Sequence, residues 1–112
     1  MEPAIVMPKG RLDGAASPAF LAAVTDAARD GVAGLVIDFT DVSYISSAGL
    51  RVILIAAKSM AARGGRLALC SLGRQVAEVL ELSDFIALPN LSIHSNQDEA
   101  RRALGGPIAR GA

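Results

Sequence analysis

The chain has 112 residues, with 11 acidic and 11 basic side chains, one histidine and one cysteine. That length supports one domain with a real core that needs neither disulfide nor metal, and a single cysteine excludes an intrachain disulfide. Balanced charge provides no global field for nucleic acid or an anionic membrane, and no apolar run approaches the ~20 residues that span a bilayer.

Ala4-Ile5-Val6-Met7 reads as a short strand, which Pro3 and Pro8 mark as an edge or a strand end. Gly10 then turns the chain into Arg11-Leu12-Asp13. Ser17-Pro18 reads as a cap followed by proline at the first helical position, opening a helix with Phe20, Leu21, Val24 and Ala28 on one face and an end near Gly31. The second strand covers Leu35 to Phe39. Leu35, Val36 and Ile37 are apolar in both directions, so both faces of that strand are expected to be covered.

A second helix starts at Ala48 or Gly49, after the pair Ser46-Ser47, and runs to Arg63, where Gly64-Gly65 stops it. Leu50, Ile53, Leu54, Ala57 and Ala61 form its core stripe. Arg66 to Cys70 is the third strand, in which Cys70 packs as a small hydrophobe. Ser71 is the expected cap of a helix holding Val76, Val79, Leu80 and Leu82 and ending near Asp84. Leu91-Ser92-Ile93 is a fourth strand, and Ser95 or Asn96 caps a last helix, Gln97 to Leu104, stopped by Gly105-Gly106. The expectation is one α/β domain over residues 1–106, with about four mostly parallel or mixed strands and about four helices, and a frayed tail at 107–112. The N-terminus lacks a basic-then-apolar secretory signal, so a cytoplasmic location is expected.

The stretch Tyr44-Ile45-Ser46-Ser47-Ala48-Gly49-Leu50 puts two hydroxyls where a strand gives way to a helix, beyond the carboxyl end of a strand where functional loops of such sheets gather. A serine there sits at the N-cap, beside unpaired N–H groups and the positive end of the helix dipole. It serves as an ordinary cap or carries a phosphate, whose charge the helix end partly tolerates.

Other chemistry is sparse. His94 is the only histidine, and it reads as a surface residue after a short strand. A Ser47–His94 hydrolase is a remote alternative, because Ile45 stands where the nucleophile elbow needs glycine. No phosphate loop with Gly-Lys-Ser/Thr occurs, and one histidine far from one cysteine makes no zinc site. Asp38 and Asp41 flank a turn, where solvated carboxylates are the ordinary case. No catalytic residue, cofactor or metal is assigned. On the second helix, Val52 and Ile55 beside Arg51 and Lys58 form either a docking patch for another protein or a surface covered by a neighbouring element.

Gly10-Arg11-Leu12-Asp13 followed by Val36-Ile37-Asp38-Phe39-Thr40-Asp41-Val42-Ser43-Tyr44-Ile45-Ser46-Ser47-Ala48-Gly49-Leu50 resembles the STAS domain of bacterial anti-sigma factor antagonists. Gly64-Gly65 before a strand, and Val79-Leu80-Glu81-Leu82-Ser83 before Phe85, fit the later segments of that family. In the family the turn reads Asp-Ser-Ser/Thr-Gly-Leu. The serine after the Asp is phosphorylated by a partner that is both a serine kinase of the histidine-kinase-like ATPase fold and an anti-sigma factor. The unphosphorylated antagonist sequesters that partner, phosphorylation breaks the complex, and a serine phosphatase restores it.

The resemblance therefore implies a transcription-regulating binding protein rather than an enzyme. It implies Ser47 as phosphoacceptor, with Ser46 as the alternative. The implied partner-binding set is Asp13, Ser46, Ser47, Ala48, Gly49, Arg51, Val52 and Ile55, with Asp38 in support. The chain departs from the family pattern at two positions: Ser46 replaces the Asp, and Ala48 replaces the second hydroxyl residue. Against the family's opening hairpin, the expectation is that the first strand is missing and a sheet edge is left exposed. The alternative within binding proteins is a STAS subunit docked constitutively on another complex, such as a lipid-transport ATPase, with Ser47 only a cap.

Overall fold

The computed structural model describes residues 2–29, 31–83 and 88–105. The expected helix end at Asp84, Phe85, the second glycine of Gly105-Gly106 and the 107–112 tail lie outside them. Within them the order is β1 (Ala4–Val6), β2 (Lys9–Leu12), α1 (Ser17–Ala27), β3 (Gly34–Asp38), β4 (Asp41–Ile45), α2 (Ser47–Ala62), β5 (Arg66–Cys70), α3 (Arg74–Leu82), β6 (Leu91–His94) and α4 (Gln97–Ala103).

Four strands form a parallel sheet in the order β1-β3-β5-β6, as the alternation of strand and helix implies. All five residues of β3 are buried, which is why this strand carries no polar alternation. Leu35, Ile37, Leu67 and Leu69 face the main core with Phe20 and Val24 of α1 and Ile53 and Met60 of α2. Val36, Ala68 and Cys70 face the other way, against Ala100 of α4 with Leu104 packed alongside. Small residues at 68 and 100 let α4 lie close to the sheet. Cys70 is fully buried, and burial pushes its thiol up from the ordinary value.

Two further strands, β2 and β4, pair in parallel as a separate ribbon, aligning Arg11 with Tyr44 and Leu12 with Ile45. The register shifts between Gly10 and Arg11, and Gly10 supplies the positive φ of 77° beside that irregularity. β1 lies at an edge of the main sheet, with Ile5 exposed on it and Met7 exposed just after it.

Three helix starts differ from expectation. Ser17 is the first helical residue rather than the cap, and its hydroxyl donates to the Asp13 carbonyl at 2.8 Å. α2 begins at Ser47 with Ser46 as N-cap, one or two residues earlier than expected. Ser71 does not cap α3: it takes φ 61° and Gly73 occupies the N-cap. Leu82 is exposed rather than packed. Asn96 caps α4, its side chain accepting from the Glu99 N–H at 2.9 Å.

Candidate functional site at the start of the second long helix

β2 carries the chain to Leu12, and its partner β4 ends at Ile45, so the loop after one and the turn after the other emerge together. The Ser46 N–H donates to the Leu12 carbonyl at 3.1 Å, and the Ser46 hydroxyl reaches the same oxygen at 3.4 Å. Gly49 tightens this junction. A Cβ built there would stand 2.6 Å from the Leu12 carbonyl oxygen and 2.7 Å from Ile45 Cγ1, so only glycine lets the first turn of α2 lie this close. Gly49 is itself buried, and its part in the site is the close approach rather than a side chain.

Because the Ser46 hydroxyl turns toward Leu12, no side chain caps α2. The intrahelical ladder starts with the Leu50 N–H on the Ser46 carbonyl at 3.0 Å. The first-turn N–H groups of Ser47, Ala48 and Gly49 precede that ladder at the positive end of a 16-residue helix. Ser47 is exposed; Ser46 and Ala48 are half-buried. The two hydroxyls thus differ: that of Ser46 is partly engaged inward, and Ser47 presents an accessible one.

Asp13 directly follows Leu12, the residue whose carbonyl holds this turn. Its Oδ1 accepts from the Ala16 N–H at 3.1 Å, and its Oδ2 lies 3.6 Å from Arg11 Nε. The Arg11 guanidinium also covers the Tyr44 ring at 4.1 Å. That ion pair is solvent-exposed and contributes little to stability.

On α2, Arg51 and Lys58 are exposed, as is Ile55 at 43 %. Val52 is only 3 % exposed and belongs to the main core. This corrects the expected patch: Val52 packs inward, and Arg51, Ile55 and Lys58 form the open strip. The buried face is Gly49, Val52, Ile53, Ala56, Ala57 and Met60, so Leu54 and Ala61 fall outside the stripe assigned to them.

Asp38 is not a solvated turn carboxylate. It is 3 % exposed, and it accepts from Thr40 Oγ1 at 2.6 Å, from the Thr40 N–H at 2.9 Å and from Gln97 Nε2 at 2.8 Å. Burial pushes this carboxyl up, but the bonds from Thr40 and Gln97 outweigh it and leave the group below the ordinary carboxylate value. Asp38 thereby ties the end of β3 to α4, while Asp41 remains exposed. His94 lies half-buried at the end of β6, its Nε2 2.8 Å from Ser92 Oγ. Among the described residues no three histidine, cysteine or acidic side chains gather as a metal site, and no helix is long and apolar enough to cross a membrane.

One contributor escaped the sequence reading. Gln75 of α3 hydrogen-bonds both backbone groups of Ile45, the residue before the serine pair. Its partner is backbone 30 residues away, which no local pattern signals.

Comparison with known proteins gives this arrangement a family. The family model described as STAS domain matches residues 2–100. A Bordetella bronchiseptica protein named as an anti-sigma factor antagonist, BtrV, is 46 % identical over 54 residues, which are 48 % of this chain and 47 % of the relative. The chain therefore aligns with about half the length of that curated relative. A Thermotoga maritima structure described as an anti-sigma factor antagonist superposes with a TM-score of 0.78 at 27 % identity, covering 89 % of this chain and 85 % of the other. A sulfate transporter family protein from Wolinella succinogenes shares the fold, with a TM-score of 0.74 at 19 % identity over 90 % of this chain and 83 % of its own. The chain belongs to the STAS domain family.

Proposed function

We propose that the chain is a cytoplasmic anti-sigma factor antagonist, a binding protein switched by phosphorylation. Unphosphorylated, it sequesters an anti-sigma serine kinase through the Asp13 loop, the turn from Ser46 to Gly49 and the Arg51–Ile55 strip of α2. Ser47 accepts the phosphate, and a serine phosphatase removes it. The observation that carries this reading is the exposed Ser47 at the first position of a helix with no side-chain cap, hydrogen-bonded through Ser46 to the neighbouring loop.

A phosphate adds about −1.5 to −2 charge. Within the free protein the helix N-terminus offsets part of it, so the fold survives. In a closed interface the same charge must be desolvated, and like-charge juxtaposition there costs several kcal/mol. A local modification therefore dissociates a complex without refolding the domain. Ser46 in place of the family's Asp removes a carboxylate next to the acceptor, and its inward hydroxyl favours Ser47 over Ser46.

The sulfate transporter relative supports a second reading, a STAS module docked permanently on a larger assembly. The hydrolase alternative loses support, since the His94 Nε2 is engaged by Ser92 within its own strand. The test is incubation with ATP and each purified anti-sigma serine kinase of the same genome, followed by peptide mass mapping. Phosphate on Ser47 is the expected result. Phosphate on Ser46 alone removes the assignment of Ser47, and none at either serine favours permanent docking.

A further inference from the structure

Among the described residues β4 has one strand neighbour, β2. At its last residue a side chain supplies the missing second one. The Gln75 Oε1 accepts from the Ile45 N–H at 2.9 Å, and the Gln75 Nε2 donates to the Ile45 carbonyl at 3.0 Å. A strand residue points its own N–H and C=O to the same side, so one carboxamide, which carries an acceptor and donors in one plane, satisfies both. Glutamate would set an oxygen against the Ile45 carbonyl, and leucine would leave both groups unmatched. Ile45 is 1 % exposed, so its backbone groups have little access to water as a substitute.

This double bond sits one residue before Ser46 and two before Ser47. The next backbone group, the Ser46 N–H, is held from β2 by the Leu12 carbonyl. The strand end is therefore fixed from both sides, by β2 and by α3, just where the hydroxyls begin. Loss of either set leaves the strand end hydrogen-bonded from one side only.

We propose that Gln75 is the positioning residue of the acceptor turn: its carboxamide fixes the Ile45 peptide and thereby the place of the Ser46–Ser47 hydroxyls when a kinase closes on them. This rests on the phosphoswitch reading and adds a residue that does not itself receive the phosphate. Phosphoryl transfer needs the hydroxyl within reacting distance and in line, and misplacement by about 1 Å costs on the order of a hundredfold in rate. Loss of positioning therefore falls mainly on kcat, because the Asp13 loop and the Arg51–Ile55 strip, which supply the rest of the docking surface, are left intact.

The experiment compares the full-length wild type with Gln75→Leu, which removes both bonds, and Gln75→Glu, which keeps the acceptor for the Ile45 N–H and loses the donor. Amide hydrogen exchange of the free proteins is followed by NMR. Steady-state phosphorylation is then measured with whichever anti-sigma kinase of the genome modifies the wild type fastest. In Gln75→Leu the Ile45 amide exchanges roughly tenfold faster while the β3 amides keep their protection. Its kcat falls about ten- to a hundredfold with KM within about twofold, and the kcat of Gln75→Glu, which sets a carboxylate oxygen against the Ile45 carbonyl, falls as well. If Gln75→Leu is unfolded, the kcat of Gln75→Glu decides alone. Unchanged kcat, or a loss confined to KM, overturns the positioning role even if Ile45 exchanges faster. A wild type that takes no phosphate at Ser46 or Ser47 with any kinase overturns the underlying reading, and positioning with it.

Discussion

Gly49→Ala tests whether the serine turn is built on close contact between α2 and the end of β2. The added Cβ would meet the Leu12 carbonyl oxygen at 2.6 Å and Ile45 Cγ1 at 2.7 Å, inside any ordinary contact distance. The first neighbour is backbone and the second belongs to a residue 1 % exposed, so neither yields easily. Overpacking of this kind costs about 1–3 kcal/mol. Alanine returns up to about 1 kcal/mol through its better helix propensity. The net expectation is a loss of about 1–2 kcal/mol, which lowers Tm by roughly 5–10 °C in a domain of this size. Because the Leu12 carbonyl also accepts the Ser46 N–H, any shift that relieves the clash loosens the turn. Urea titration and thermal unfolding by circular dichroism measure the loss. Gly14→Ala is the control: nothing lies within 4 Å of its added Cβ, and the change should stay within about 0.5 kcal/mol. A Gly49→Ala protein as stable as the wild type would refute the close approach.

The two apolar residues once paired as a patch should separate in their behaviour. Val52→Ala removes buried volume and costs about 1–2 kcal/mol, whereas Ile55→Ala leaves stability within about 0.5 kcal/mol and weakens kinase binding; denaturation together with calorimetric titration distinguishes them. Asp38 makes part of the stability depend on acid pH. Its folded-state pKa lies below the unfolded one, so its contribution is fully present above the ordinary carboxylate range and is lost as pH falls through the lowered value. Urea midpoints taken between pH 6 and pH 3 should fall less steeply for Asp38→Asn than for the wild type; parallel slopes would deny Asp38 that role.

The buried strands were legible because burial on both faces writes itself into composition. Leu35-Val36-Ile37 and Leu67-Ala68-Leu69 are apolar runs with no polar alternation. β2 and β4 were not legible, since each is short, carries charge at Lys9, Arg11 or Asp41, and among the described residues pairs only with the other. The phase of α2 is hidden for a related reason. Val52, Leu54 and Ile55 are all apolar, so periodicity alone does not select which side faces the core, and Met60 rather than Ala61 fills the last buried position. Cap preference does not decide at Ser71, where a positive φ bends the chain and Gly73 takes the N-cap. At the site, the serine pair and Asp13 were visible as residues. Their juxtaposition was not, because it depends on the Leu12 carbonyl, the missing Cβ of Gly49 and the carboxamide of Gln75, each distant in sequence from what it touches.

The switch itself is tested most directly by the affinity of one kinase for the chain in two states, unmodified and carrying phosphoserine at position 47, measured by calorimetry without ATP. Several kcal/mol of desolvation and like-charge repulsion in the interface should weaken binding at least about a hundredfold on phosphorylation, while the circular dichroism spectra of the two forms coincide. Equal affinity of both forms for the kinase would contradict phosphoserine 47 as the switch and leave the serine turn as a structural cap.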